Sequence, residues 1–190
     1  MEPVFTLPYS EYLAANLLSH YLKAKDGYSI FIPASRQEKG IDILLTRRSG
    51  KSYKCVSFQV KSSRTYSPVP PKRETTKRFS YYTWFNTFKV PKEADFFLLV
   101  GIYPPDENRT RKSSRSWWES VVLMFTQNEM QKFIANVKTR SGKADKMFGF
   151  GFDKPKEIIL TRGDENRNME DYSSYIFQNR ISTIKEFLLS

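Results

Sequence analysis

Two short apolar segments separated by a glycine turn constrain this chain more than any other feature. Ile41 to Arg47 and Tyr53 to Lys61 flank Ser49-Gly50, and runs of this length bounded by turn residues predict a β-hairpin. With Ser49-Gly50 as a two-residue turn, Arg48 faces Lys51 and Asp42 faces Ser57. Gln59 and Lys61 then follow Ser57 on the same face, because strand side chains alternate. Diagonal cross-strand neighbours lie roughly 7–8 Å apart at the backbone, so the side chains of Asp42, Gln59 and Lys61 can converge on one ion. A slip of one residue would send them to opposite faces.

Those residue types in that arrangement suit phosphodiester hydrolysis. The reaction needs an activated water and relief of charge on the phosphate, and a divalent ion supplies both. Asp42 is the anionic ligand, Gln59 offers a neutral carbonyl oxygen and the Val60 backbone carbonyl another. Glu11, at the start of the first predicted helix, adds a second carboxylate directly or through water. Lys61 orients the attacking water or stabilises the pentavalent oxyanion. The ion is Mg²⁺ or Mn²⁺, with ligand distances of about 2.0–2.1 Å for magnesium.

The rest of the chain is basic. Lys and Arg number 31 against 20 Asp and Glu, a formal charge of +11. Folding needs no such excess, which points to a polyanionic partner, most often nucleic acid. A membrane surface fits less well, since no segment reads as a basic amphipathic anchor. The longest apolar run, Ala94 to Tyr103, is too short to span a bilayer. Basic loops are predicted over Ser62 to Arg78, Pro104 to Ser116 and Thr139 to Lys146. The first follows the hairpin directly. Its Arg64, Lys72, Arg73, Lys77 and Arg78, with Arg36 and Lys39 in the loop before Asp42, are candidate contacts to the phosphates flanking the cleaved bond. Such contacts position a substrate without reading its sequence.

Hydrophobic residues at 39% and aromatics at 15% indicate a globular chain, and 190 residues indicate a single domain over 1–190. Cys55 and His20 are the sole cysteine and histidine. That excludes a disulfide within the chain and a Cys/His zinc site built by one chain. A Ser-His-Asp triad would have to use His20, which sits among helix formers with no nucleophile motif nearby. Met1 to Ser10 lacks the character of a signal peptide, and with the lone cysteine this predicts a cytoplasmic protein.

Along the chain, Ser10 reads as the N-cap of a helix over Glu11 to Lys25. Leu13, Leu17 and Tyr21 form its stripe, widened by Leu18 and Leu22. Tyr28 to Ile32 reads as a strand stopped by Pro33. Phe79 to Phe88 reads as either a short helix or a strand, its aromatics packing a core or stacking on bases. Asp95 to Tyr103 is a strand covered on both faces. Ser120 to Phe125 is a strand, Gln127 to Val137 a helix and Glu157 to Thr161 a strand. Met169 to Leu189 reads as a final helix with Tyr172, Ile176, Ile181, Ile184, Phe187 and Leu188 in the core. Cys55 reads as a small buried hydrophobe, and Trp117-Trp118 beside Arg115 as a contact to nucleic acid or a partner subunit. The sum is an α/β layout with a mixed sheet flanked by helices.

A glutamate on a first helix, Gly40-x-Asp42 on one strand and Gln59-x-Lys61 on the next resemble the PD-(D/E)XK (restriction-endonuclease-like) nuclease superfamily. The resemblance covers about Ser10 to Ser63 by motif, and the Asp95 to Tyr103 strand fits its shared core. It implies a core of helix, three-stranded meander, helix and strand, with a magnesium-dependent nuclease site. Asp42 stands at the superfamily's invariant acid, Gln59 at its second acid, Lys61 at its lysine and Glu11 at the helix glutamate of a subset. Ile41 stands where the motif has proline. Gln59 lacks the charge of the acid it replaces, which weakens metal affinity. Three functional expectations therefore stand: a metal-dependent endonuclease acting on DNA, a catalytically inactive nucleic-acid-binding protein on the same fold, and a protein-interaction module in defence systems. Duplex cutting needs two sites, which implies a homodimer.

Overall fold

The structure, a computed structural model, describes residues 9–33, 40–66, 79–103, 119–154, 156–165 and 168–189. Helix α1 (Tyr9–Tyr21) already includes Ser10, which is buried inside it and is not its cap. The inward face is Ser10, Ala14 and Leu18, rotated from the predicted stripe. Leu13 and Leu17 flank the core and Tyr21 is exposed. The helix stops short of Lys25, and a 3-10 turn (Ala24–Asp26) takes its place, closed by Gly27 at φ 86.

Strands β1 (Tyr28–Phe31), β2 (Ile43–Ser49) and β3 (Ser52–Tyr66) form an antiparallel meander. The β2–β3 turn is Gly50-Lys51, because Ser49 pairs with Ser52. Gly50 has φ 64, the positive value that a II′ turn needs at its first central position. Each β2 residue therefore faces a partner two residues beyond the predicted one. An even shift keeps every side chain on its predicted face.

Ser62 to Tyr66 continue β3, so the predicted loop does not begin at Ser62; residues 67–78 lie outside the described residues. The end of β3 pairs with β4 (Tyr81–Asn86), which settles that segment as a strand. Strand β5 (Phe96–Tyr103) lies parallel to β3, and β6 (Glu119–Thr126) lies antiparallel to β5. Helix α2 (Gln127–Asn136) starts directly from β6 through a capping box of Thr126 and Glu129. The Pro104 to Ser116 loop and Trp117-Trp118 lie outside the described residues. The third basic run is a tight turn closed by a bridge between Lys138 and Ala144.

Strand β7 (Met147–Phe152), absent from the sequence reading, pairs with β4 and with β8 (Ile159–Arg162). Its alternating glycines weaken a strand assignment. The fold uses them: Phe148, Phe150 and Phe152 point inward and are fully buried. Gly149 and Gly151 face outward under aromatic rings. The eight strands make a mixed sheet with three α-helices among the described residues.

The predicted final helix is overturned. Asp171 bridges to Ile159 and Ile176 to Leu123, so the chain is pinned at these two points to sheet edges. One 3-10 turn (Ser173–Tyr175) lies between them, and a second (Phe177–Arg180) and a short α3 (Ile181–Phe187) follow. Ile176, Ile181, Ile184 and Leu188 are buried as predicted and Tyr172 packs partly, but Phe187 is exposed.

Alternation along β5 feeds two cores. Phe96, Leu98 and Val100 join α1 and α3 in one cluster, and Phe97, Leu99 and Tyr103 join α2 and β7 in the other. Cys55 is exposed, contrary to the sequence reading, because β5 begins opposite Phe58 and does not reach that far along β3. No helix among the described residues is long and apolar enough to cross a membrane.

Candidate metal and nucleic-acid site

The register decides what Asp42 meets. Its N–H donates to the Phe58 carbonyl at 2.8 Å, one step beyond the last β2–β3 pair. Gln59, not Ser57, is therefore its cross-strand neighbour. Direct neighbours have Cβ atoms roughly 4.5–5.5 Å apart, so the acid and the amide are closer than the diagonal geometry predicts. Asp42 Oδ2 accepts the Val60 N–H at 2.6 Å. This charge-assisted bond fixes the carboxylate against β3 and leaves Oδ1 as a ligand atom.

Gln59 is buried, and its Oε1 has no hydrogen-bond partner. A buried acceptor left unpaired costs about 1–3 kcal/mol. A cation beside Asp42 would meet that unmet acceptor, so the donor set fits a hard divalent ion. Lys61 follows two residues on, half-buried, with Nζ 5.2 Å from the centre of the Phe88 ring. That cation–π contact holds the ammonium near the site. Phe88 in turn stacks on Phe97 at 6.0 Å.

Face assignments separate Glu11 from these three. Val56, Phe58 and Val60 pack with α1, as do Ile43 and Leu45. Asp42, Gln59 and Lys61 alternate to the other face, so Glu11, half-buried on the first turn of α1, starts from the opposite side of the sheet. It can meet the others only around the strand ends. Among the described residues, no three His, Cys, Asp or Glu side chains form a group able to hold a metal. What the structure brings together is one carboxylate, one carboxamide and one lysine.

Ser57, displaced from Asp42, anchors β5 instead. Its N–H donates to Asp95 Oδ2 at 2.8 Å, and its Oγ lies 2.9 Å from the same oxygen and 2.7 Å from the Glu93 carbonyl. Asp95 thus ties the start of β5 to β3. Ser63 Oγ donates to the Trp84 carbonyl, tying β3 to β4. Arg64 lies on β3 itself and is exposed. Arg36, Lys39, Lys72, Arg73, Lys77 and Arg78 lie outside the described residues. The sequence reading missed Phe88 as the seat of Lys61. Its one signal is an aromatic directly before Lys89-Val90-Pro91, too common a pattern to single out.

No protein-family model matches this chain, and comparison with curated proteins and with solved structures returns no match either.

Proposed function

We propose that this chain is a metal-dependent endonuclease that hydrolyses DNA phosphodiester bonds on a restriction-endonuclease-like core. The observation that carries the reading is the unpaired, buried Gln59 Oε1 beside a carboxylate pinned to the next residue's N–H, with Lys61 on the same face. The meander of β1, β2 and β3 with β5 parallel beside β3 agrees with the core that the motif implies. The connection from β3 to β5 departs from it, since the described part carries β4 where the motif implies a helix.

Asp42 and Gln59 would hold the ion, with the Val60 carbonyl as a further oxygen. A bound Mg²⁺ or Mn²⁺ supplies a water of lowered pKa and polarises the phosphate. Asp42 keeps its position because Val60 N–H holds one oxygen. Lys61 places positive charge where the phosphate oxygens gain negative charge in the transition state. Arg64 alternates to the other face of β3 from Lys61 and does not share the ion's face. Cutting both strands of a duplex would recruit a second copy of the chain.

The test is cleavage of supercoiled plasmid with Mg²⁺ or Mn²⁺ and with EDTA, run beside Asp42→Ala and Lys61→Ala. Metal-dependent nicking should fall to background in both variants. Cutting that survives both substitutions would sink the proposed site. Mn²⁺ binding, measured by calorimetry, should weaken in Asp42→Ala and tighten in Gln59→Glu.

The uncharged Gln59 also favours a second reading, a nucleic-acid-binding protein that does not cut. It replaces the first if wild type binds DNA with a steep salt dependence yet neither it nor Gln59→Glu cleaves. Absence of any salt-sensitive DNA binding would leave the protein-interaction reading.

A further inference from the structure

The outward face of the β4–β7 ladder carries aromatic rings laid over glycines. A Cβ at Gly149 would sit 2.0 Å from Trp84 Cδ1, and one at Gly151 would sit 2.3 Å from Phe79 Cδ2. Both rings therefore cover the strand at its glycines, where any larger residue would displace them. Tyr82 stands between, its ring 6.1 Å from Trp84 at 28° and 5.9 Å from Phe79 at 81°. Phe79 is buried, whereas Trp84 is 37% exposed. The platform thus ends in an accessible indole.

Tyr82 and Trp84 line a groove of about 610 Å³, within the range of small-molecule sites. Thr139, Arg140 and Ser141 of the neighbouring turn line it as well. The Thr139 N–H bond to the Lys143 carbonyl at 2.7 Å and the Lys138–Ala144 bridge hold that turn closed, so Arg140 stands at a fixed tip. Arg162 lines the groove with its guanidinium bonded twice to Asp145, at 3.1 and 3.0 Å. The cations Lys138, Arg140 and Arg162 line the groove with the carboxylates Asp145 and Asp164, Lys138 is also paired with Glu165 at 3.5 Å, and exposed Lys143 and Lys146 beside the turn add positive charge. On the other flank, one step past the Thr65–Thr83 pair, the register sets exposed Arg64 across from Trp84.

A flat aromatic face with cations on both flanks matches a base with a phosphate on either side. Bases stack on such faces whatever their identity, while the cations track the backbone. A duplex keeps its base faces inside its own stack, so the ligand must be unpaired. We propose that the Tyr82–Trp84 platform and the Arg140 turn bind single-stranded nucleic acid, one or two bases stacking on Trp84 and Tyr82. This site lies on the opposite face of the strands from Gln59 and Lys61 and does not depend on cleavage.

The experiment is fluorescence anisotropy of a labelled mixed-sequence 12-mer and of an abasic 12-mer of equal charge, in EDTA and over a salt series. Wild type should bind the base-bearing strand roughly tenfold more tightly than the abasic one, as loss of one stacked base implies. Trp84→Ala should remove that difference with the salt slope unchanged. Trp84→Phe, which still covers Gly149, should restore much of it. Arg140→Ala should lower the salt slope by about 0.7, the share of one phosphate on a single strand. Thermal melts identify any variant that has failed to fold. Equal affinity of wild type for the two strands, or full affinity in folded Trp84→Ala and Arg140→Ala, would overturn the proposal and leave the ring as a cover for glycine. Because no metal is present, failure of the nuclease reading would leave this result standing.

Discussion

The two sides of the sheet are packed by different means. Under α1 and α3 the core is chiefly aliphatic, with Leu18, Ile43, Leu45, Val60, Leu98 and Ile184 interdigitating around Phe58 and Phe96. On the side of α2 and β7 it is a nest of rings: Phe85, Phe97, Phe125, Phe133, Phe148 and Phe150. Branched aliphatic chains fill space with little orientational demand. Rings meet edge-on or offset, as Phe133 meets Phe148 at 4.9 Å and 83° and Phe85 meets Phe148 at 5.4 Å and 17°. The aliphatic side should therefore tolerate volume-conserving changes that the aromatic side does not.

The largest effect expected is from Phe150→Ala, about 3–5 kcal/mol, a large share of the stability of an ordinary domain. Leu98→Met, on the aliphatic side, should cost less than about 1.5 kcal/mol. Urea unfolding of Leu98→Met beside Phe150→Met, each a swap of similar size, checks the contrast, and similar losses would erase it.

Glycines sharpen the comparison next. Gly149→Ala drives a methyl into Trp84 and should cost about 1–3 kcal/mol by overpacking. The double variant with Trp84→Ala should be less destabilised than the sum of the two singles, the sign of a shared contact. Gly50 is the opposite case. Nothing lies within 4 Å of a Cβ there, but its φ is 64. Gly50→Ala should cost about 1–2 kcal/mol through backbone conformation alone, and Gly50→Asn less. Equal costs for Ala and Asn at position 50 would contradict the conformational account.

The smallest effect concerns charge. Burial alone would raise the Glu129 carboxyl, but its hydrogen bonds to Arg180, at 2.8 Å, and to Thr126 outweigh that and hold it below the ordinary carboxylate value. A carboxyl depressed in the folded state adds stability above its unfolded pKa, and that stability is lost as pH falls through the folded value. Arg180→Met should therefore flatten the loss of stability on the acid side, roughly between pH 5 and 3, relative to wild type. An unchanged pH profile would remove this tie between α2 and the 3-10 turn that carries Arg180.

The hairpin, the buried β5, the β6–α2 unit and the short β8 were legible because their apolar patterns are local and their turn and cap residues are ordinary. The candidate site was legible for a related reason. Asp42, Gln59 and Lys61 share a face under either turn, since Ser49-Gly50 and Gly50-Lys51 differ by an even shift in pairing. Which residue stands opposite Asp42 depended on the one turn position where glycine adopts positive φ. Strand β7 was hidden because glycine counts against a strand until the rings that cover it are known. The C-terminal helix failed because bridges to β6 and β8 outcompeted a helical pattern, and those partners lie far away in sequence.

What the sequence determined by itself was the alternation that puts an acid, an amide and a lysine on one face, the net charge of +11 and the α/β class. Only the tertiary structure decided that Gln59 Oε1 is buried without a partner, that Lys61 rests on Phe88, that Glu11 starts from the other face, and that Trp84 covers Gly149. Periodicity fixes direction within a strand. Contact between strands depends on register and sheet order, which no local pattern encodes.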